Sequence, residues 1–224
     1  ATRLTLGDNR HNAPWDLANA RLIVLWGKNA AETNVHQMPF VEEALGHGAA
    51  VVVVDPRRTE TAERAHLHLQ PRPGTDGALA LAVAHCLVRD GQVDAPFIAA
   101  HVQGYEAYAA RVREWTPARA AAIAEIPAAR IEELAALFGS VHPATLVPGF
   151  GMQRYTNSGQ TMRALLALVA LTGNLGRPGA GWMYANLQSH IFDAVPDPLA
   201  FYPPERPDGV VRCAVSVARL GEDM

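Results

Sequence analysis

The sequence predicts an α/β fold: helices flank a parallel β-sheet in a single main domain, and a less regular extension follows at the C-terminus. Two short runs, residues 21–26 and 50–54, are continuously apolar, as is typical of strands buried on both faces of a parallel sheet. Residues 33–45 between them can form a helix that closes at Gly46 and Gly48. This order predicts a βαβ unit, whose two strands are parallel.

Capping residues and apolar periodicity predict the remaining elements. Residues 65–70 alternate between apolar and polar side chains, as a third strand does. Thr75 or Asp76 can cap a helix that runs to about residue 90. Further along we expect a short helix after Asp94, helices over residues 105–115 and from Pro117, an amphipathic helix over 127–138, a strand over 144–147, a helix from 157 or 158 to 171, and a Gly- and Pro-rich loop over 173–181.

These elements divide the chain into three parts. Residues 1–19 are a lead-in with little periodicity, residues 20–181 form the main domain, and residues 182–224 extend towards a further domain. A possible strand over residues 210–217 begins a unit that has no sequel. We therefore expect the chain to be a truncated piece of a longer polypeptide.

Composition argues against several classes of protein. The 224 residues carry a net charge of −3 with a pI near 6.3, whereas a nucleic-acid-binding domain is usually basic. No apolar run approaches the roughly 20 residues that cross a bilayer, so we expect no membrane insertion. Cys86 and Cys213 form no Cys-x-x-Cys pair, which leaves no case for a zinc or iron–sulfur site in this chain. We expect Cys86 to be a small buried residue, and the compartment stays open.

Polar and glycine-rich loops follow the predicted strands, over residues 27–30, 55–58, 74–76 and 149–152. In open parallel sheets the ligand crevice lies outside the carboxyl ends of the strands. These loops therefore predict a nucleotide site along one edge of the sheet. On its own, each residue also fits an ordinary turn, loop start or helix cap.

The residue types in these loops suit the parts of a nucleotide. Gly27 lets the backbone approach a phosphate, and a helix that follows it presents free N–H groups and a positive dipole end. Arg57 and Arg58 can bind phosphate oxygens bidentately. Asp55, at the end of the second strand, suits a ribose, and Asp76 can accept hydrogen bonds from a purine N–H. The Gly-x-Gly-x-x-Gly fingerprint of NAD enzymes is absent after the first strand, which disfavours an ordinary NAD-dependent dehydrogenase.

Four motifs, over residues 26–33, 55–62, 72–79 and 171–181, occur in the order and approximate spacing of a known family. With them the sequence resembles the molybdopterin oxidoreductases of the dimethyl sulfoxide reductase family, which includes formate dehydrogenases and nitrate reductases. The resemblance covers about residues 19–188. It implies a Rossmann-like domain that binds one of two molybdopterin guanine dinucleotides around a molybdenum ion, that is, a bis-molybdopterin guanine dinucleotide cofactor.

The resemblance also implies which residues bind the cofactor. They are Trp26, Gly27, Lys28, Asn29, Glu32 and Thr33 at its phosphate–nucleoside part, Asp55, Pro56, Arg57 and Arg58 along the ribose, Gly74, Thr75 and Asp76 at the guanine, Phe150, Gly151 and Arg154 towards the metal side of the pterin, and Asn186 in the turn after the Gly-rich loop. No catalytic residue and no metal ligand is expected in this chain. Relatives supply the metal ligand, and in many cases a [4Fe–4S] cluster, from a preceding segment.

The family therefore implies oxygen-atom or hydride-equivalent transfer at molybdenum in a full-length enzyme, with this chain inactive alone. Its partners would be other domains of the same polypeptide and electron-transfer subunits. Two alternatives stay open: a non-catalytic scaffold domain of a redox complex, and a free-standing NAD- or FAD-binding domain.

His66 and His68 are interpreted as ordinary strand residues rather than metal ligands, whereas His190 and Asp193 can reach an active-site funnel. We expect three tryptophans, Trp15, Trp115 and Trp182, to anchor packing.

Overall fold

The computed structural model describes residues 1–7 and 11–184 and contains one five-stranded sheet. Its strands are β1 (Leu22–Trp26), β2 (Ala50–Val54), β3 (Leu67–Leu69), β4 (Ala144–Pro148) and β5 (Gly181–Trp182). Every neighbouring pair is parallel, and the strand order is β3-β2-β1-β4-β5. The predicted α/β class is thus confirmed, and the order is that of a Rossmann-like sheet.

Ten helices accompany the sheet in the described part of the chain. They are α1 (Thr2–Leu6), α2 (Ala30–Thr33), α3 (Met38–Gly46), α4 (Glu60–Glu63), α5 (Asp76–Arg89), α6 (Ala95–His101), α7 (Tyr105–Val112), α8 (Pro117–Ala124), α9 (Ala128–Ser140) and α10 (Ser158–Leu171), and single 3₁₀ turns lie at Pro14–Asn19, Val35–Gln37 and Phe150–Arg154. None of the helices in residues 1–7 and 11–184 is long and apolar enough to cross a membrane.

The sheet is buried on both faces, which accounts for its continuous apolar strands. On one face Leu22, Val24 and Trp26 of β1 share a core with residues of α5, α9 and α10. On the other, Ile23 and Leu25 pack with residues of α3 and with Leu17 of the lead-in. Because successive side chains of a strand point to opposite faces, a strand covered by helices on both sides needs no polar residue.

The predicted helix over residues 33–45 is wrong at its start. The chain makes the single turn α2, breaks at Asn34, makes a 3₁₀ turn, and begins α3 only at Met38. Pro39 gives the physical reason. A proline lacks the N–H that a helix interior requires but is tolerated in a first turn. A helix that started at residue 33 would place Pro39 in its interior, whereas in α3 Pro39 lies in the first turn.

The predicted packing role of the tryptophans is correct only in part. Trp182 is buried in the core, but Trp15 is 66% exposed, so its predicted anchoring role is wrong. The helix predicted over 105–115 ends at Val112, which leaves Trp115 outside it. The guanidinium carbon of Arg119 lies 4.3 Å from the centroid of the Trp115 ring, in a cation–π contact.

The Gly-rich motif over residues 171–181 mainly connects parts of the fold. Asn174 is fully buried; its Oδ1 accepts from the N–H of Ala144 at 2.9 Å, and its Nδ2 donates to Thr172 at 2.8 Å. Gly179 lies so close to the backbone of Asn19 that a Cβ there overlaps the carbonyl. This motif therefore joins α10 to the first residue of β4 and to the lead-in.

Candidate cofactor-binding site

The loops predicted to form a site do meet at one edge of the sheet. Since β1 to β4 are mutually parallel, their carboxyl ends lie on the same side. Backbone hydrogen bonds join neighbouring loops: the N–H of Gly27 donates to Val54 O at 2.7 Å, and that of Gly149 to Trp26 O at 2.8 Å. The strand order reverses between β1 and β4, which is where open α/β sheets bind ligands.

Two glycines allow the loops after β1 and β4 to touch. Gly27 has a φ of +59°, a value that favours glycine. Gly149 lies directly against it, because a Cβ built at Gly149 overlaps the carbonyl oxygen of Gly27. The helix after Gly27 is the single turn α2, so the predicted contribution of a helix dipole to phosphate binding is small. The glycines bring backbone and side chains together at the switch point instead.

Lys28 is the cationic side chain at this switch point. It is half-buried, and burial lowers the pKa of its ammonium group because the charged form loses water. No carboxylate forms an ion pair with Lys28 within residues 1–7 and 11–184. A partly desolvated ammonium without a carboxylate partner favours the binding of an anion.

Asn29 is held in one orientation by a buried threonine that sequence reasoning did not single out. The hydroxyl of Thr61 accepts from the N–H of Ala31 at 3.0 Å and donates to Asn29 Oδ1 at 2.7 Å. Because Thr61 presents its proton to Asn29, the amide must turn its oxygen towards Thr61 and its NH₂ group away. Glu32 and Thr33 are exposed, and Thr33 donates to the carbonyl of Asn29.

We expect Thr61→Val to lower the free energy of unfolding by about 1–2 kcal/mol, because the partly buried N–H of Ala31 loses its acceptor. The measurement is urea unfolding of both proteins. Thr156→Val is the matched control, since Thr156 is exposed. An equal loss in the two variants would contradict the role given to Thr61.

The loop after β2 presents an exposed basic group. Asp55 Oδ1 accepts from the N–H of Arg57 at 2.8 Å, which closes a tight Asp-Pro-Arg turn. Pro56, Arg57 and Arg58 are exposed, and neither arginine pairs with a carboxylate in the part of the chain that the structure describes. The turn therefore aims two guanidinium groups at solvent beside the half-buried Asp55.

The two strand histidines are accounted for by the backbone. His68 Nε2 hydrogen-bonds to the carbonyl of Asp55 at 2.9 Å, and His66 Nδ1 accepts from the N–H of Val51 at 3.1 Å. No group of three or more His, Cys, Asp or Glu side chains with metal-binding geometry occurs within the described ranges. Cys86 is buried in α5, where burial raises the pKa of its thiol to about 11.

Asp76 is the most unusual residue at this edge, because it is charged and only 9% exposed. Its Oδ1 accepts from the indole Nε1–H of Trp26 at 2.8 Å, and Trp26 is itself fully buried. Burial raises the pKa of Asp76, the hydrogen bond from Trp26 opposes that shift, and the negative charge of Asp55 adds to it. Thr75 does not cap α5 with its side chain; its hydroxyl donates to the carbonyl of Arg72 at 2.6 Å.

Aromatic side chains surround the rest of the edge. Phe150 is 47% exposed and lies edge-on to Tyr184, with ring centroids 5.9 Å apart. Tyr155 lies against Gly74, where its ring is 3.2 Å from the position of a Cβ. Burial raises the pKa of Tyr184, and the nearby charge of Arg154 lowers it. Tyr155 and Tyr184 carried no sequence signal, because their partners are distant in sequence.

Apart from Asn186, the predicted site residues lie at or after the carboxyl ends of β1 to β4. Gly151 and Arg154 are exposed on the turn after β4, beside Phe150. Asn186 lies outside the described residues, as do His190 and Asp193. An edge with a buried carboxylate, a half-buried lysine and free arginines suits a ligand that carries both a hydrogen-bond-donating base and phosphates.

Comparison with known proteins identifies the family of this chain. The sequence profile described as molybdopterin oxidoreductase matches residues 4–208. The chain belongs to the molybdopterin oxidoreductase family. The resemblance inferred from its four motifs is thus confirmed, and a molybdenum–pterin cofactor is the one that this family implies.

Individual members of the family show how much of the whole protein this chain represents. It is 40% identical over 197 residues to the probable dimethyl sulfoxide reductase chain YnfF of Escherichia coli K12, covering 77% of this chain and 24% of that one. It is 32% identical over 170 residues to formate dehydrogenase H of the same organism, covering 76% and 24%. The chain thus spans about a quarter of the length of these relatives.

A solved structure agrees with both the fold and the family. Acetylene hydratase from Pelobacter acetylenicus superposes with a TM-score of 0.70 at 31% identity, over 74% of this chain and 23% of that one. The α/β architecture and the family of this molybdopterin oxidoreductase domain are therefore supported by sequence and by structure.

Proposed function

We propose that this chain is the domain of a molybdenum-dependent oxidoreductase that binds one molybdopterin guanine dinucleotide of a bis-molybdopterin guanine dinucleotide cofactor. The observation that carries the proposal is the carboxylate of Asp76, buried at the carboxyl edge of the sheet and hydrogen-bonded by one oxygen to Trp26. A buried charge is costly unless it has partners. In the described part of the chain no cation pairs with this one, which is the situation expected of a group that awaits a ligand.

The chemistry of this edge fits a guanine nucleotide. An ionised carboxylate is a pure acceptor, and guanine offers two adjacent donors, N1–H and the N2 amine, where adenine offers an acceptor at N1. Lys28, Arg57 and Arg58 supply cations for the pyrophosphate, and the fixed amide of Asn29 adds a donor. The contact between Gly27 and Gly149 permits the close backbone approach that a dinucleotide needs.

The chain's own residues hold and orient the cofactor rather than react with substrate. When bound, the cofactor supplies two-electron chemistry at molybdenum, as oxygen-atom or hydride-equivalent transfer. Phe150, Gly151 and Arg154 would face its pterin side, and Asn186 would contact it from the turn after the Gly-rich loop. Other domains of the same polypeptide would complete the site, with electron-transfer subunits as partners, and the chain alone would be inactive. A [4Fe–4S] cluster, where present, would be bound outside this chain.

Asp76→Ala in the full-length enzyme tests the proposal. We expect molybdenum and guanine per chain to fall by about tenfold or more, because the base loses its charged acceptor. Asp90→Ala is the matched control, since Asp90 caps the other end of α5, where it is exposed and pairs with Arg89. Unchanged molybdenum and guanine in the Asp76 variant would refute the guanine assignment.

A further inference from the structure

The hydrogen bond between Trp26 and Asp76 joins the centre of the sheet to the base end of the site. Trp26 is the last residue of β1, the strand between β2 and β4, and its side chain is fully buried. Its only polar atom, the indole Nε1, donates to Asp76 Oδ1 at 2.8 Å across 50 residues of sequence. Because the indole is fully buried, we expect it to act on a ligand in the crevice through Asp76, and not through the direct cofactor contact that the resemblance implies for Trp26.

We propose that Trp26 is a positioning residue that orients the carboxylate of Asp76 and thereby sets the preference of this site for guanine. The inference rests on the proposed function, because it assigns a role within the same base-binding site. In this role Trp26 does not contact the cofactor itself: Trp26 contacts Asp76, and Asp76 contacts the base.

The geometry explains why an indole is needed for this task. A carboxylate has two equivalent oxygens and a broad terminal torsion, so an unheld Asp76 samples orientations in which its oxygens do not match the two donors of guanine. The bond from Trp26 uses one lone pair of Oδ1 and restricts the rotation of the carboxylate, which leaves an acceptor site on each oxygen for the base. No other side chain donates to Asp76 in residues 1–7 and 11–184. A rigid strand and a packed core hold Trp26 itself.

The base preference can be measured by titrating the chain with GMP and with IMP, which lacks the N2 amine. We expect Trp26→Phe, which keeps the aromatic bulk and removes the N–H, to lower GMP affinity by about tenfold. We also expect the preference for GMP over IMP to fall towards unity, because a misoriented carboxylate no longer distinguishes one donor from two. A variant that is merely less stable would weaken both ligands alike.

Trp115→Phe is the matched control. Trp115 is half-buried, lies between α7 and α8 and stacks with Arg119, so both affinities should equal those of the unaltered chain. If the unaltered chain binds GMP but Trp26→Phe keeps the same preference, the positioning role is wrong and the proposed function stands. If the unaltered chain shows no preference for GMP over AMP, the proposed function itself fails, and the inference with it.

A second measurement covers the case in which Trp26→Phe does not fold. The indole N–H resonance of Trp26, observed by ¹⁵N-edited NMR, should move when GMP is added to the unaltered chain, and it should shift in Asp76→Asn, which leaves the tryptophan in place. The indole resonances of the other three tryptophans serve as internal controls. A Trp26 resonance that stays fixed in both experiments would overturn the inference.

Discussion

Gly149→Ala is expected to lower the free energy of unfolding by about 3 kcal/mol or more, one of the largest effects of a single methyl group in this domain. The added Cβ overlaps the carbonyl oxygen of Gly27. That atom belongs to the backbone at the end of the central strand, so no side-chain rotation can relieve the overlap. The two loops at the switch point must separate, which breaks the hydrogen bond from Gly149 to Trp26 O.

Urea unfolding of the chain measures this effect, and Gly151→Ala provides its control. Gly151 lies two residues further along the same turn, and a Cβ there meets nothing within 4 Å. We expect the Gly151 variant to unfold within about 0.5 kcal/mol of the unaltered chain. Equal stability of the two variants would contradict the close contact between Gly27 and Gly149.

Asp76→Asn is expected to lose about hundredfold in affinity for a guanine nucleotide while keeping or gaining stability at neutral pH. The replacement has the same shape and keeps an oxygen for the indole of Trp26, but it lacks the charge that would bind the N1–H and N2 donors. Burial raises the pKa of Asp76 in the folded chain above its ordinary value of 3.8. The folded state therefore binds this proton more tightly than the unfolded state does.

The sign of the pH dependence follows from this difference in proton binding. The contribution of Asp76 to stability is greatest below about pH 4, where the group is protonated in both states, and it is lost as the pH rises through the raised pKa. Asp76→Asn should therefore gain stability relative to the unaltered chain over that interval. Asp90→Asn, on the exposed end of the same helix, should show no such gain. A variant of Asp76 that is less stable at neutral pH would indicate a structural role for the charge.

The sheet and its edge could be predicted from the sequence because their signals are local. A strand covered on both faces is apolar throughout, so β1 and β2 are visible as runs of apolar residues. Once the strands are parallel, their carboxyl ends must lie together, and the loops after Trp26, Val54 and Pro148 follow without further information.

What the sequence did not reveal depends on contacts between distant residues. The hydrogen bonds from Trp26 to Asp76 and from Thr61 to Asn29 join residues 50 and 32 positions apart, and neither has a local pattern. The contact of Tyr155 with Gly74 is of the same kind. The exposure of Trp15 was mispredicted because a large aromatic residue indicates burial only on average.

The most direct test of a guanine-binding edge is an NMR titration of the ¹⁵N-labelled chain with GMP, AMP and NAD. We predict weak binding of GMP alone, since the whole cofactor would be held by several domains, with shifts concentrated at Gly27–Asn29, Gly74–Asp76 and the indole of Trp26. AMP and NAD should leave these resonances unchanged. Shifts of equal size with AMP, or none with millimolar GMP, would contradict the account.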